Sequence, residues 1–476
     1  MTEKPSVSRR ELLLQTAAGS LAATAVYGAE ADPARAQGGS TGPAKPNIIF
    51  IMADDLGYAD VSCYGRPDFN TPNIDRLAGE GLRFMQAYAN SAVCSASRVA
   101  LITGRYQYRL AIGLEEPLTT RKAGLPPNHA TLPSLLRKAG YQSALIGKWH
   151  LGRLPDFGPL QSGYDYFYGF RSGAVDYFTH KSGPPATDTN DLWEDDVKIH
   201  QTGYLTDLLG SRAVDMVETY AGTGQPFLIS LHFSAPHWPW EAPGDEAESQ
   251  RLRNLFHYDG GTQRTYQRMI QQMDLQIGRV LQALNAAGAG QDTIVIFTSD
   301  NGGERYSDTW PFTGRKTELL EGGLRIPAVI RWPGKIPCGV VSEQVTIGMD
   351  WFPTLLAAAG IAPDPEFPSD GIDLLPALTG AAAPVPRKLF WRYKHNDQQA
   401  ARDGDWKYLK ILDNSFLFDV VQDPMERANL KERERDVYER LVAEWNEWNA
   451  RMLPLDRQSF TGGFTGAELA DHFGVR

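Results

Sequence analysis

The chain has 476 residues, 42% hydrophobic and 22% charged, with 57 acidic against 47 basic side chains and a formal net charge of -10. That length supports a large core, as several domains or as one large domain with an appendage. The acidic balance excludes a nucleic-acid binder whose affinity comes from Lys and Arg set against phosphates. Three cysteines, Cys63, Cys94 and Cys338, are too few for a disulfide scaffold or a Cys-rich zinc site.

The amino-terminal stretch "SVSRRELLLQTAAGSLAATAVYGAEADPARAQ" joins Arg9 and Arg10 to a modestly apolar run, Leu12 to Val26, and then to Ala34-Arg35-Ala36. The last three residues form an A-x-A cleavage pattern. Residues 1–36 resemble a twin-arginine export signal. Gln15, Thr16, Gly19 and Ser20 interrupt any single apolar stripe, which argues against an amphipathic first helix. No later segment supplies the roughly 20 apolar residues of a membrane span. The expectation is therefore an exported protein, periplasmic or secreted, without a membrane span.

After a Gly/Pro/Ser-rich linker, residues 37–46, strands and helices alternate. "NIIFIMA" (47–53), "YQSALIG", "PFLISLHF" and "DTIVIFTS" are short apolar runs of the kind that fill buried parallel strands. Each ends abruptly in polar residues. Between them lie helical segments, most clearly 262–287, with 3.6-residue periodicity. The pattern predicts an α/β fold with an open sheet, in which ligands bind outside the carboxyl ends of the strands. From residue 384 the character changes. "KLFWRYKH", "DWKYLKI" and "SFLFDV" read as short strands of a small antiparallel sheet, followed by a charged helix over 429–449. These define a smaller C-terminal α+β subdomain, 384–476, after a catalytic domain over 47–383. Pro384 and Pro386 make a continuous helix or central strand unfavourable at the boundary.

The strand ends carry the chemistry. Asp54-Asp55 and Asp300-Asn301 supply four oxygen-bearing side chains with no Cys or His, a set that suits Ca2+, or Mg2+ as the other hard cation. Singly, each pair has an ordinary explanation as a turn or helix cap. Arg98, Lys148, His150, His237 and Lys316 add a second, cationic or proton-transferring set at strand and loop ends. Together they suggest a site that neutralises a polyanionic ester group.

These residues fall in motifs that resemble the type I sulfatases. "CSASRVALITGRY" is similar to their signature, in which Cys or Ser is followed four residues later by Arg and then by Thr-Gly. "PNIIFIMADDLGYAD", "TPNIDRLAGEG", "LIGKWHLG", "SAPHWPW", "FTSDNGG" and "GRKTELLEGGLRIPAVI" follow the family in order and wording, and the resemblance covers residues 46 to 425. It implies an alkaline phosphatase/sulfatase-like fold, with a large mixed, mostly parallel sheet flanked by helices. It further implies hydrolysis of sulfate esters, from aryl sulfates or sulfated carbohydrates, with release of inorganic sulfate.

By the same resemblance Cys94 is oxidised by a formylglycine-generating maturation enzyme to formylglycine (3-oxoalanine). One hydroxyl of its hydrate attacks sulfur, and loss of a proton from the other expels sulfate and regenerates the aldehyde. Asp54, Asp55, Asp300 and Asn301, with the modified residue 94, are expected to hold the metal. Arg98, Lys148 and Lys316 are expected to bind the sulfate oxygens, His237 to protonate the leaving oxygen, and His150 to hold or deprotonate the hydrate. Many members carry Pro two residues after the cysteine, where this chain has Ala96. That departure bears on which maturation system acts. A phosphatase or phosphodiesterase of the same superfamily is the alternative reading, and a catalytically silent binding protein a third.

For substrate contacts, "YDYFYGFRSGAVDYFTHKSG" (164–183) and "WRYKHND" (391–397) are aromatic and polar. His180, Trp238, Trp240 and His395 are expected to line the pocket. Cys63 and Cys338 are open to two readings, as thiols or as a disulfide formed after export.

Overall fold

The computed structural model describes residues 45–119, 123–183 and 189–470; residues 1–36, expected to form an export signal, and residues 37–44 of the expected linker lie outside the described residues. A ten-stranded sheet runs in the spatial order Val340–Ser342, Leu82–Phe84, Ala328–Arg331, Thr293–Ser299, Asn47–Ala53, Phe227–His232, Gln142–Lys148, Tyr166–Phe170, Trp193–Glu194, Val197–Lys198. The five strands from Thr293–Ser299 to Tyr166–Phe170 are mutually parallel, and antiparallel pairing enters on both sides of them. The four apolar runs read from the sequence are four of these five, which explains their continuous hydrophobicity: both faces are covered.

Alternation along a strand sends successive side chains to opposite faces. Ile49 and Ile51 join a buried cluster with the helices Leu205–Ala221 and Gln263–Ala286. Ile48, Phe50 and Met52 join another with the helices Cys94–Thr103, Leu132–Lys138 and Trp351–Ala358. The register matters more for function. Ala53 pairs with Ser299, Met52 with His232 and Gly147 with His232. Adjacent parallel strands therefore stop level with one another, and Lys148, the last residue of its strand, emerges at one edge with Asp54 and Asp300, which follow theirs. Gly147 permits this packing: its φ is +110°, and a Cβ there would lie 1.8 Å from the His232 carbonyl oxygen.

The C-terminal region is a four-stranded antiparallel sheet, Lys388–Tyr393, Gln398–Asp403, Trp406–Ile411 and Asn414–Asp419, backed by the helix Arg435–Ala450. The strand "QQAARD" escapes a pattern reading because it lacks bulky alternation. The helix starts later than the expected residue 429. Asn429 instead accepts the Leu417 N–H at 3.1 Å with its side-chain oxygen, holding the connection as a loop.

Residues from Lys45 onward fall in one compact unit. A buried ionic cluster fastens the two sheets within it. Lys407, fully buried, lies 2.9 Å from both Glu321 and Glu426, and Arg325 lies 2.8 Å from Glu321. Burial pushes the Glu321 carboxyl up, but Lys407, Arg325 and Arg402 outweigh it and hold the group well below its ordinary range. Beyond the last helix the chain returns as a strap. Phe460 accepts from Glu116 N–H at 3.1 Å, and Lys394 Nζ donates to the carbonyls of Leu114, Ser459 and Phe460 at 2.6, 3.0 and 3.1 Å. Among the described residues no helix is long and apolar enough to cross a membrane. Cys63 and Cys338 are separate free thiols.

Removing one partner of a buried ion cluster strands the remaining charges. Lys407→Met is expected to lower the unfolding free energy by about 3–5 kcal/mol, read from the midpoint of a denaturant titration.

Candidate active site

Cys94 opens a ten-residue helix that is buried along its whole length. Val93 contributes no side-chain cap, so the partial positive charge of the helix N-terminus is concentrated at Cys94. Burial pushes the Cys94 thiol up from its ordinary value, although Lys148 and Lys316 pull the other way. The neutral thiol is a weak nucleophile as it stands.

His150 is the nearest proton-transferring group. Its Nδ1 lies 3.3 Å from Cys94 Sγ, and its Nε2 lies 2.8 Å from the Leu118 carbonyl oxygen. A carbonyl can only accept, so Nε2 carries the hydrogen and Nδ1 presents a lone pair to residue 94. Burial, followed by Lys148, holds His150 well below its ordinary value and keeps the ring neutral. The carbonyl that sets this tautomer is itself fixed, because Leu118 N–H donates to Ser95 Oγ at 2.7 Å. His150 and Asp55 both adopt left-handed backbone, at φ 56° and 63°. Such conformations persist at sites where surrounding structure over-determines them.

Around Cys94 lie the strand-end carboxylates, all buried. Lys148 Nζ donates to Asp54 at 2.6 Å and Lys316 Nζ to Asp55 at 2.6 Å. Arg98 donates to Asp300 Oδ2 through Nε and Nη2 at 3.1 and 2.9 Å. Burial pushes Asp54 well above its ordinary value; for Asp300 it does the same, but Arg98 and Lys148 outweigh it and hold that carboxyl below. Two buried oxygens, Asp54 Oδ1 and Asn301 Oδ1, have no hydrogen-bond partner. Asn301 meanwhile spends its amide hydrogens on Asp55 and the Gly302 carbonyl, at 2.7 and 2.9 Å. Ligand atoms of Asp54, Cys94 and Asp300 lie within 4.8 Å of one another, as do those of Asp54, Asp55 and His237. Unpartnered buried oxygens beside converging carboxylates fit a hard divalent cation, which takes oxygen ligands.

His237 completes the cluster from the loop after strand Phe227–His232. Its Nδ1 donates to the Trp238 carbonyl at 2.7 Å, leaving Nε2 3.5 Å from Asp55. Burial, then Lys316 and Lys148, hold it well below its ordinary value. Cys94, His150, His237 and Lys316 all open onto one cavity of about 560 Å³, within the range of about 300–1,000 Å³ that takes a drug-sized ligand.

A family model described as sulfatase matches residues 46–361, two thirds of the chain. The chain belongs to the sulfatase family. A second model, N-sulphoglucosamine sulphohydrolase, C-terminal, matches residues 314–451. N-acetylgalactosamine-6-sulfatase of Canis lupus familiaris is 34% identical over 397 residues, covering 78% of this chain and 72% of the dog protein. Arylsulfatase J of Mus musculus is 28% identical over 477 residues, covering 88% and 78%. Among solved structures, Ps i-CgsB in complex with k-i-k-neocarrahexaose is 30% identical with a TM-score of 0.79, covering 91% of this chain and 98% of that one.

The structure thus gathers Cys94, Arg98, Lys148, His150, His237, Lys316, Asp54, Asp55, Asp300 and Asn301 into one cluster. Arg98, Lys148 and Lys316, the three cations expected on the sulfate oxygens, each donate to a carboxylate of the cluster, Asp300, Asp54 and Asp55 respectively. Among the expected substrate contacts, Trp238 lies on the cavity wall. Three others stand away from it: His180 is buried with Nε2 3.1 Å from the Gly203 carbonyl, Trp240 is buried, and His395 packs behind the strap against Gly463. Sequence reasoning missed His232, whose Nδ1 lies 3.4 Å from Arg98 Nη1 and 3.3 Å from the Lys148 carbonyl. Its place at the end of "FLISLH" was the available signal. The Leu118 carbonyl carried none, since a backbone atom's neighbours are invisible before folding.

Two outcomes follow from this geometry. Ca2+ at a hundred times its Kd is expected to stabilise the folded protein by about 2.7 kcal/mol, seen as a higher melting temperature, with Asp54→Ala and Asn301→Ala abolishing the shift. Behind the His237 loop, burial and the neighbouring Asp176 push the Glu241 carboxyl from 4.5 up to about 9. A group whose folded pKa is raised contributes stability that is fully present below its unfolded value and lost as pH rises through the folded one. Stability should therefore fall between about pH 5 and pH 9, and the slope should flatten in Glu241→Gln, measured by denaturation across that range.

Proposed function

We propose that this protein hydrolyses sulfate esters of carbohydrates, with a nucleophile made from Cys94. The observation that carries the reading is the set of groups converging on residue 94: a lone-pair nitrogen at 3.3 Å, a helix N-terminus and a buried carboxylate cluster. An unmodified thiol there is neutral and held by burial, so a direct cysteine nucleophile is the weaker use of the site. Oxidised to formylglycine by a maturation enzyme, residue 94 supplies a hydrated aldehyde, one hydroxyl of which takes the sulfuryl group while the other expels sulfate.

The neighbouring side chains then take defined parts. His150 Nδ1 accepts the proton of the residue 94 hydroxyl, a role its Leu118-fixed tautomer suits. His237, on the cavity wall, delivers a proton to the leaving oxygen from Nε2 after taking it up in the substrate complex, where the anionic ester offsets the burial and lysine charges that keep the free ring neutral. Lys316 and Lys148 neutralise the sulfate oxygens, and Arg98 orients and neutralises Asp300. Asp54, Asp55, Asp300 and Asn301 would hold Ca2+, or Mg2+, which when bound polarises a sulfate oxygen and acidifies the attacking hydroxyl. The likeness to N-acetylgalactosamine-6-sulfatase and to a sulfatase-fold protein complexed with a neocarrahexaose supports a saccharide as substrate. The Arg9-Arg10 segment supports export by a twin-arginine route to the periplasm or beyond.

In protein from its own host, mass spectrometry is expected to find an aldehyde on the peptide carrying Cys94, and an intact thiol there would sink the mechanism. Sulfate release should greatly exceed phosphate release on paired aryl esters. His237→Ala should lower kcat by a factor of about 10²–10⁴ without lowering the melting temperature.

A further inference from the structure

The cavity extends well past the reacting groups, and one side of it is aromatic. His237 and Trp238 have ring centroids 4.0 Å apart, Trp238 and Phe256 4.5 Å, and Phe256 and Tyr258 stack 5.5 Å apart at an interplanar angle of 3°. The run therefore leads from a group at the reacting centre out to the rim. Trp238, Phe256, Tyr258 and Phe460 of the strap all line this one cavity. Phe256, Tyr258 and Phe460 are 44%, 41% and 47% exposed. Apolar rings left in water forgo the stabilisation that burial brings, so a cluster of them at a cavity mouth marks a surface that is covered in use.

The platform is also rigid. His257, between the two stacked rings, points the other way and is buried. Its Nδ1 accepts from Trp240 N–H at 3.1 Å, its Nε2 lies 3.0 Å from Glu248, and its carbonyl accepts from Arg305 Nη1 at 3.0 Å. An inward histidine anchored on three sides thus holds its two neighbours outward. Phe460 is pinned in the same manner through Glu116 N–H and Lys394 Nζ. Residues 454–464 of the strap lie beyond the segments matched by either family model. Asn254 and Arg153 on the same cavity provide donors suited to ring hydroxyls.

We propose that Phe256 and Tyr258, with Phe460, form an outer subsite that stacks the sugar ring next to the sulfated residue, making the substrate a sulfated oligosaccharide rather than a free monosaccharide. The proposal rests on the sulfatase reading above. A saccharide presents flat C–H faces to aromatic rings and hydroxyls to polar donors such as Asn254 and Arg153 on the same cavity.

The test compares kcat/KM of the metal-loaded, matured wild type and of Phe256→Ala, Tyr258→Ala and Phe460→Ala on three compounds: a sulfated trisaccharide, the corresponding sulfated monosaccharide and 4-nitrophenyl sulfate. The wild type is expected to prefer the trisaccharide. Each variant should lower the trisaccharide-to-monosaccharide ratio about tenfold, equivalent to about 1.4 kcal/mol, mainly through KM. Because these side chains are exposed, unchanged melting temperatures would show that folding is intact. A ratio that stays constant overturns the proposal, as does a loss on 4-nitrophenyl sulfate equal to that on the trisaccharide, which would assign the rings to an aromatic sulfate. A wild type that releases sulfate from none of the three defeats the sulfatase reading itself, and the subsite with it.

Discussion

Three carboxylates, Asp54, Asp55 and Asp300, are buried side by side where parallel strands end. Burying like charges together is strongly unfavourable unless cations stand beside them. Each carboxylate accordingly has its own: Lys148 for Asp54, Lys316 for Asp55 and Arg98 for Asp300. Those three come from distant parts of the chain, a strand end, a loop and a helix. The carboxylates therefore act as the point on which separate elements must converge. Two oxygens in the cluster, Asp54 Oδ1 and Asn301 Oδ1, have no hydrogen-bond partner, a set that fits a hard divalent cation.

The same economy of buried charge governs the C-terminal part of the molecule. Lys407 on the small sheet meets Glu321 and Glu426 in the interior, and Lys394 gathers carbonyls of the returning strap. Both lysines tie the second sheet to the catalytic cavity, whose rim the strap helps to form. The loop that carries Glu116 and Leu118 is held from two directions: Ser95 on the catalytic helix fixes Leu118, and Phe460 on the strap pairs with Glu116. The histidine tautomer at residue 94 thus depends on contacts that reach as far as the carboxyl-terminal strap.

Much of this was legible before folding because strand ends concentrate polar residues after apolar runs. Asp54-Asp55, Lys148, His150, His237 and Asp300-Asn301 all follow such runs, and the motifs around them resemble one family in order. The strand Gln398–Asp403 was not legible, since Gln, Ala and Arg carry no strong period. His180 and His395 look as suitable as Trp238 by residue type, and only packing separates the wall of a cavity from its backing. Arg98 shows the same limit in electrostatics. Its charge and its spacing from Cys94 were visible, but the partner that takes up its guanidinium is 202 residues away.

The amino-acid sequence by itself determined the residue types at each strand end, the α/β alternation and the cysteine signature, because these follow from local hydrophobic periodicity and from chemistry written in short motifs. Tertiary structure alone decided which nitrogen of His150 bears the proton, what Arg98 neutralises and which aromatic rings border the cavity. The reason is physical: a tautomer, a buried ion pair and an exposed ring are each set by atoms that come close only when distant segments pack, and no local pattern encodes that proximity.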